Sequence, residues 1–197
     1  MAWEPLPGRK LILASSSPRR AQLLRQVGIP FRRMRVRVEE GISDELSPAE
    51  YVLTLAERKA RSAASRLKKG LVLGADTIVL FQGEILEKPQ DTQEAKGMLS
   101  RLSGHTHQVY TGLALIDVGR GRVIKGYEVT KVKFRSLSPD FILSYVETGE
   151  PLDKAGAYGV QKKGALLVER VEGCFYNVVG LPLSKLLTLL QELGYGT

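Results

Sequence analysis

Two arginines follow a run of three serines and a proline, at the point where an apolar segment gives way to a helical pattern. Residues 11–14 (LILA) have the length and content of a buried strand, and Ser17 before Pro18 is typical of a helix start, with the Ser17 hydroxyl as the cap. A helix N-terminus presents unpaired backbone N–H groups, and Arg19 and Arg20 add guanidinium donors that suit phosphate oxygens. The stretch is therefore predicted to bind phosphate, although the same residues equally fit a plain helix cap with solvated arginines.

A carboxylate interrupts an apolar segment further along the chain. Residues 71–81 (LVLGADTIVLF) have the composition of a buried strand, with Asp76 and Thr77 at its middle. A buried carboxylate is costly unless it is paired, hydrogen-bonded or bound to a cation, so Asp76 is a candidate functional residue. Gly74 permits a close backbone approach or a bend just before it. The alternative is an ordinary loop aspartate between two shorter strands.

A lysine lies on the apolar side of a predicted helix. Ser47-Pro48-Ala49-Glu50 is a capping box, and an apolar stripe continues from it to a stop at Gly70. Lys59 falls on that stripe, four residues from an apolar position on either side. Either the aliphatic part of the Lys59 side chain lies along the protein surface and its ammonium reaches solvent, or the ammonium points at an anion. The first arrangement is the more common one.

The elements that must position these residues alternate between strand and helix early and late in the chain. Further strands are predicted at residues 32–38, 108–117, 123–135, 166–171 and 175–179. Strands 108–117 and 123–135 are predicted to form an antiparallel pair. This order predicts an α/β fold, a mixed twisted sheet flanked by helices, with two lobes around a central cleft. A single domain over residues 1–197 is expected.

Residues 150–164 combine glycine and charge in a long connection. Such a segment is predicted to be a substrate-contacting loop rather than part of the core. His105 and His107 stand two apart at a strand start and are predicted to be surface residues, because two ring nitrogens alone make a poor metal site.

The composition excludes several classes of protein. No apolar run approaches the length of a membrane span, and the first residues lack the plan of a signal peptide. The single cysteine rules out an internal disulfide framework and favours a cytoplasmic location. A net charge of +8 permits acidic partners, but the chain has no zinc-finger, basic-zipper or aromatic RNA-binding pattern, so sequence-specific nucleic-acid binding is not expected.

Six short motifs together resemble the Maf family of nucleoside triphosphate pyrophosphatases. They occur in the family's order over nearly the whole chain: ASSSPRR (14–20), GADT (74–77), EKP (87–89), LSG (102–104), DKAGAYGVQ (153–161) and NVVGLP (177–182). The DKAGAYGVQ segment resembles the subfamily that hydrolyses dTTP and UTP rather than the one that acts on 7-methyl-GTP. The resemblance implies a fold of the Maf and inosine triphosphatase type.

The resemblance also implies roles for individual residues. Asp76 is the implied proton acceptor. The residues implied to surround the triphosphate and its metal are Ser15, Arg19, Arg20, Glu39, Lys59 and Lys88. Those implied to bear on base specificity are Arg20, Thr77 and Gln161. One departure affects the last group, because the family usually continues after the glutamine with Gly-Leu-Gly and this chain has Lys162-Lys163-Gly164.

The implied reaction is hydrolysis between the α and β phosphates, with pyrophosphate as product. It needs positive charge on the triphosphate, a divalent cation and a base that deprotonates water. Glu39 and Asp76 offer the hard oxygen ligands that Mg²⁺ or Mn²⁺ prefers. The alternatives are a non-catalytic nucleotide-binding regulator, because the family's name comes from arrest of septum formation, and a nucleic-acid-binding module. Members of the family are often dimeric, so the resemblance permits a homodimer, but the sequence itself does not give the oligomeric state.

Overall fold

The computed structural model describes residue 6, residues 10–38 and residues 46–195. Its strands are β1 (Leu11–Ala14), β2 (Phe31–Arg33), β3 (Leu71–Phe81), β4 (Glu84–Leu86), β5 (Thr106–Asp117), β6 (Arg122–Phe134) and β7 (Val168–Glu172). Its α-helices are α1 (Pro18–Gln26), α2 (Pro48–Ala64), α3 (Thr92–Leu102), α4 (Pro139–Val146), α5 (Phe175–Val179) and α6 (Leu183–Glu192). No helix in these ranges is long and apolar enough to span a membrane.

One mixed sheet contains all seven of these strands. Its order is β2-β1-β3-β5-β6-β7, and β4 pairs with β3 outside that path. Strand β1 runs parallel to both β2 and β3, whereas the β3–β4 and β6–β7 pairs are antiparallel. The parallel part follows from the crossover helices α1 and α2, because parallel neighbours need a long connection between them. The predicted mixed sheet flanked by helices is confirmed.

The chain divides into two compact units. Unit 1 comprises Met1–Asp76, Thr111–Glu128 and Gly180–Thr197. Its core includes a stripe of alanines on α2 at helical spacing, Ala56, Ala60 and Ala63, packed with apolar residues of the sheet. A Cβ on Gly74 would lie 2.7 Å from the backbone nitrogen of Ala60, and one on Gly112 would lie 2.9 Å from that of Leu53. Small residues on both sides therefore let α2 pack unusually close to the sheet.

Unit 2 comprises Thr77–Tyr110 and Val129–Val179. Its core surrounds the fully buried Phe134 on β6. The rings of His107 and Tyr158 pack edge-to-face on Phe134, with centroids 5.0 and 4.7 Å away. Segment 150–164 was predicted to lie outside the core. That prediction was wrong for Ala157 and Tyr158, which are buried in the core of unit 2.

Three local expectations from the sequence were wrong. Residues 175–179 form helix α5 instead of a strand, and the Asn177 amide in it donates to the Val109 carbonyl and to Thr130 Oγ1, contacts that a short apolar pattern does not reveal. Strand β2 ends at Arg33 rather than at residue 38, and α2 ends at Ala64 rather than at Gly70. In both cases the apolar spacing continues past the last regular hydrogen bond.

Candidate active site

The turn from β1 into α1 places Arg20 inside unit 1. Arg20 is only 9% exposed, its Nε donates to the Gly180 carbonyl at 2.8 Å, and its Nη1 donates to Ser15 Oγ at 3.2 Å. The same Ser15 oxygen accepts the Ser17 N–H at 3.1 Å. Ser17 is the N-cap residue but makes no side-chain capping bond, so the expected role of its hydroxyl was wrong. The serines instead hold one another and the arginine in place.

Arg20 remains charged in this environment. Burial lowers the pKa of its guanidinium to about 10, the Asp76 carboxylate opposes that shift, and the nearby half-buried Arg19 adds to it. A group with that pKa is still protonated at neutral pH. Unit 1 therefore contains a fixed, buried positive charge that acts on Asp76. This favours the phosphate-binding interpretation over solvated arginines for Arg20.

Asp76 lies at the middle of the unbroken strand β3, as predicted, and not in a loop. It is 8% exposed, and Lys59 Nζ donates to its Oδ1 at 2.6 Å. Lys59 therefore points at an anion, the less common of the two arrangements considered for it. Gly74, two residues before Asp76, permits the close approach of α2 that brings the Lys59 ammonium within reach.

Three predicted residues belong to unit 2. Thr77 follows Asp76 directly on β3 and is half-buried, Lys88 is exposed after β4, and Gln161 is half-buried at the end of segment 153–161. The Gly156 N–H donates to the Glu87 carbonyl at 3.0 Å. This bond joins segment 153–161 to the residue that precedes Lys88.

The structure brings the buried residues Ser15, Arg20 and Asp76 and the half-buried Lys59 into one group within unit 1. Glu39, the other predicted metal ligand, lies outside the described residues. Among the residues that are described, no group of three or more His, Cys, Asp or Glu side chains could hold a metal ion. Asp76 alone still suits Mg²⁺, since this ion is commonly held by one or two carboxylates together with substrate phosphates.

Sequence reasoning missed two contributors. The Gly180 carbonyl accepts a hydrogen bond from Arg20. Residue 180 lies in the NVVGLP motif (177–182), but a glycine in a sequence does not predict the direction of its carbonyl group. His107 is 2% exposed, so its predicted surface position was wrong. Its alternation with Val109, Thr111 and Leu113, all buried on β5, was the signal that could have found it.

The Maf-like protein family model matches residues 10–193 of the chain. A dTTP/UTP pyrophosphatase of Symbiobacterium thermophilum is 53% identical over 188 residues, which cover 95% of each chain. A dTTP/UTP pyrophosphatase of Caldicellulosiruptor bescii is 48% identical over 191 residues, covering 95% of this chain and 96% of the relative. A third, from Moorella thermoacetica, is 51% identical over 185 residues, covering 94% and 95%.

A solved structure resembles the whole chain in fold. The Staphylococcus aureus Ham1 protein superposes with a TM-score of 0.55, at 15% sequence identity, over 94% of this chain and 100% of that one. At that identity the likeness concerns the fold alone, and it agrees with the mixed sheet and flanking helices. With a family match over residues 10–193 and relatives about half identical along nearly their full length, the chain belongs to the family of Maf-like proteins.

Proposed function

We propose that this chain is a nucleoside triphosphate pyrophosphatase that hydrolyses dTTP and UTP to the monophosphate and pyrophosphate. Relatives that match nearly all of it carry the name dTTP/UTP pyrophosphatase. The observation that carries the proposal is the buried Asp76 carboxylate, with the Lys59 ammonium 2.6 Å from it and the Arg20 charge acting on it. A base set among fixed positive charges is what cleavage of a phosphoanhydride needs.

The cationic residues bind the triphosphate in this proposal. Arg19, Arg20, Lys59 and Lys88 offset the negative charge that the leaving pyrophosphate gains as the bond between the α and β phosphates breaks. Arg20 is already oriented by Gly180 and Ser15, so its guanidinium needs little reorganisation when substrate arrives. Arginine also presents its donors in a plane, which suits two phosphate oxygens at once.

Asp76 accepts the proton of the attacking water. The carboxylate is oriented by the Lys59 hydrogen bond, and its place within a strand rather than a loop limits its movement. The water must approach the α-phosphorus in line with the bond that breaks, so a fixed base is an advantage over a mobile one.

A divalent cation fits the donor set, since the Asp76 carboxylate and the phosphate oxygens are hard ligands. We propose that Asp76, with Glu39 as the second carboxylate, holds Mg²⁺ or Mn²⁺. Such an ion supplies charge neutralisation on the phosphates and lowers the pKa of a water bound to it.

Base recognition is assigned to Gln161, assisted by Thr77 and Arg20. The Gln161 side chain has an amide donor and a carbonyl acceptor, which match the edge of uracil or thymine and mismatch that of cytosine. The names of the relatives support this pyrimidine preference over 7-methyl-GTP, the alternative substrate. We place the reaction in the cytoplasm, since the chain carries a single, unpaired cysteine.

The test is pyrophosphate release from dTTP, UTP, CTP, GTP and 7-methyl-GTP with Mg²⁺ or Mn²⁺, run beside Asp76→Asn. We expect dTTP and UTP to be cleaved and the variant to lose about 10³-fold or more in kcat. Asp117→Asn is the matched control, because Asp117 is also a buried aspartate of unit 1 but its partners are Tyr195 and Arg120. That control should lose stability and keep its turnover.

Normal dTTP turnover by Asp76→Asn would overturn the assignment of the base. If the wild-type chain binds dTTP or UTP but cleaves no triphosphate, it is instead a nucleotide-binding regulator of the kind associated with septum formation. If it binds duplex DNA with a steep salt dependence and no nucleotide, the nucleic-acid-binding alternative holds. A homodimer remains a prediction, which sedimentation of the purified chain would test.

A further inference from the structure

We propose that His107 is a positioning residue for base recognition, because its hydrogen bond to Tyr158 fixes the segment that ends at Gln161. This inference rests on the proposed function, since it assigns a role within the selection of the base. We call residues 153–161 the recognition segment. His107 itself does not contact the substrate in this proposal.

The backbone of this region adopts conformations that ordinary residues avoid. Ala157 has φ of 60° and Lys162 has φ of 53°, and each is a residue whose side chain disfavours the left-handed region. Ala157 directly precedes Tyr158, and Lys162 directly follows Gln161. Backbone strain of this kind persists only where the surrounding structure enforces it, and it concentrates at functional sites. The recognition segment therefore needs contacts that hold it.

Tyr158 supplies the central contact. Its hydroxyl is 2.7 Å from His107 Nε2, and its ring packs edge-to-face on both His107 and Phe134. Tyr158 and His107 are 5% and 2% exposed. Burial lowers the pKa of His107 to about 4 and raises the pKa of Tyr158 well above its usual value, so both are neutral at pH 7. The bond thus joins two neutral, buried groups, where the loss of one partner is costly.

The beginning of the segment is held by a close backbone approach. A Cβ on Gly156 would lie 2.9 Å from a methyl group of Val79, so the chain there lies directly on strand β3. The Gly156 N–H donates to the Glu87 carbonyl, as described above. Together with His107, these contacts fix residues 156–158 against the core of unit 2.

The far end is held by a second tyrosine. Tyr145 Oη accepts the Gly159 N–H and donates to Glu150 Oε1, both at 3.4 Å, and the Gly164 N–H donates to the same Glu150 oxygen. Between Gly159 and Gly164 lies Gln161. Ala157 and Tyr158 are the members of the segment that belong to the core of unit 2, and Gln161 is only three residues beyond Tyr158. A shift at Tyr158 therefore changes where the Gln161 amide is presented.

The experiment compares UTP with CTP as kcat/KM in wild type, Tyr158→Phe and Tyr195→Phe. Tyr158→Phe removes only the hydroxyl and keeps the ring on Phe134, and we expect the UTP:CTP ratio to fall about 10-fold, chiefly through a higher KM for UTP. Tyr195→Phe is the matched control, because the Tyr195 hydroxyl makes a buried 2.5 Å hydrogen bond to Asp117 in unit 1. It should lower thermal stability and leave the ratio unchanged.

Two variants of the histidine separate positioning from packing. His107→Gln keeps a polar group that can bond the Tyr158 hydroxyl and should retain most of the ratio, whereas His107→Leu should lose it to the same extent as Tyr158→Phe. An unchanged ratio in Tyr158→Phe, or an equal loss in Tyr195→Phe, would overturn the proposal while leaving the proposed function intact.

If the wild-type chain cleaves no triphosphate, the proposed function fails and calorimetric binding of UTP and CTP replaces turnover. Selective UTP binding that Tyr158→Phe loses would uphold the role of His107 in a protein that only binds nucleotides. Selectivity that survives in Tyr158→Phe, or a wild-type chain with no preference between the two, would refute it.

Discussion

At the scale of single residues, Arg20 combines a charge with a fixed orientation. Two of its donors are committed to Gly180 and Ser15, and burial has not removed its proton. Lysine would keep the charge but has no planar fork that can bond both groups and a phosphate. We expect Arg20→Lys to lower kcat/KM for dTTP by about 10²-fold, which steady-state assays would measure.

Arg32→Lys is the control for that variant, because Arg32 is an exposed residue of β2. It should leave kcat/KM within about twofold of wild type, as surface changes of charge-conserving type usually do. If Arg20→Lys also behaved in this way, the orientation of the guanidinium would be irrelevant and its charge alone would suffice.

His107 should make the stability of the protein depend on pH. Burial lowers its pKa from 6.5 to about 4, so between these values the unfolded chain binds a proton that the folded chain does not. The stability is therefore intact above pH 6.5 and falls as the pH drops toward 4, by up to about 1.4 kcal/mol per pH unit from this residue.

Urea unfolding of wild type and His107→Gln between pH 4.5 and pH 8 would measure this effect. The variant has no titratable group at residue 107, so its free energy of unfolding should fall less steeply than that of wild type below pH 6.5. Above pH 6.5 the free energies of unfolding of the two proteins should change with pH in parallel. Carboxylates contribute equally to both proteins and cancel in the comparison. Identical slopes would mean that His107 is not buried as a neutral ring.

At the scale of elements, the contact between α2 and β3 sets the distance between Lys59 and Asp76. A Cβ at Gly74 would lie 2.7 Å from Ala60 N and nearer still to the Ala56 carbonyl, and neither backbone atom can move aside. We expect Gly74→Ala to destabilise the fold by about 3 kcal/mol and to impair turnover, because α2 must shift away from the strand. Thermal unfolding and dTTP hydrolysis would measure the two losses.

Gly97→Ala is the matched control for that variant. Gly97 lies inside α3, has no positive φ, and a Cβ there would meet nothing within 4 Å. This change should stabilise the protein by about 0.5–1 kcal/mol, because alanine is the better helix former. Loss of stability in both variants would indicate that glycine positions in general are sensitive, rather than the contact of α2 with the sheet.

The sequence predicted the elements whose signals are local. Strand β3 and the capping box at the start of α2 were found because an apolar run and a hydroxyl followed by Glu50 act within a few residues. Helix α5 was not found, and the Asn177 side chain in it bonds to Val109, which lies far along the chain. The burial of His107 was missed although its alternation with Val109 and Thr111 on β5 is local, whereas its bond to Tyr158 required the fold. In the candidate site, residue types pointed to Arg20 and Asp76, but the pairing of Asp76 with Lys59 required the fold.

At the scale of the whole molecule, the chain has a net charge of +8 and its proposed substrate is a polyanion. Long-range attraction should raise the rate of encounter, and salt screens it over about 10 Å at 0.1 M ionic strength. We expect kcat/KM for dTTP to fall about 10-fold between 50 and 500 mM NaCl, while kcat changes much less. Repeating the series with potassium acetate would exclude a specific effect of one ion, and a kcat/KM independent of salt would contradict the prediction.

The two units draw on the chain in alternation, and this affects the order in which they can be completed during synthesis. Unit 2 has all of its residues once position 179 has left the ribosome. Unit 1 begins with β1 but also needs α6, whose Leu186, Leu189 and Leu190 are buried, and Tyr195, which donates to Asp117. Unit 1 can therefore be completed only after nearly the whole chain has been translated. The part of the molecule that holds Asp76 is the last to receive all of its residues.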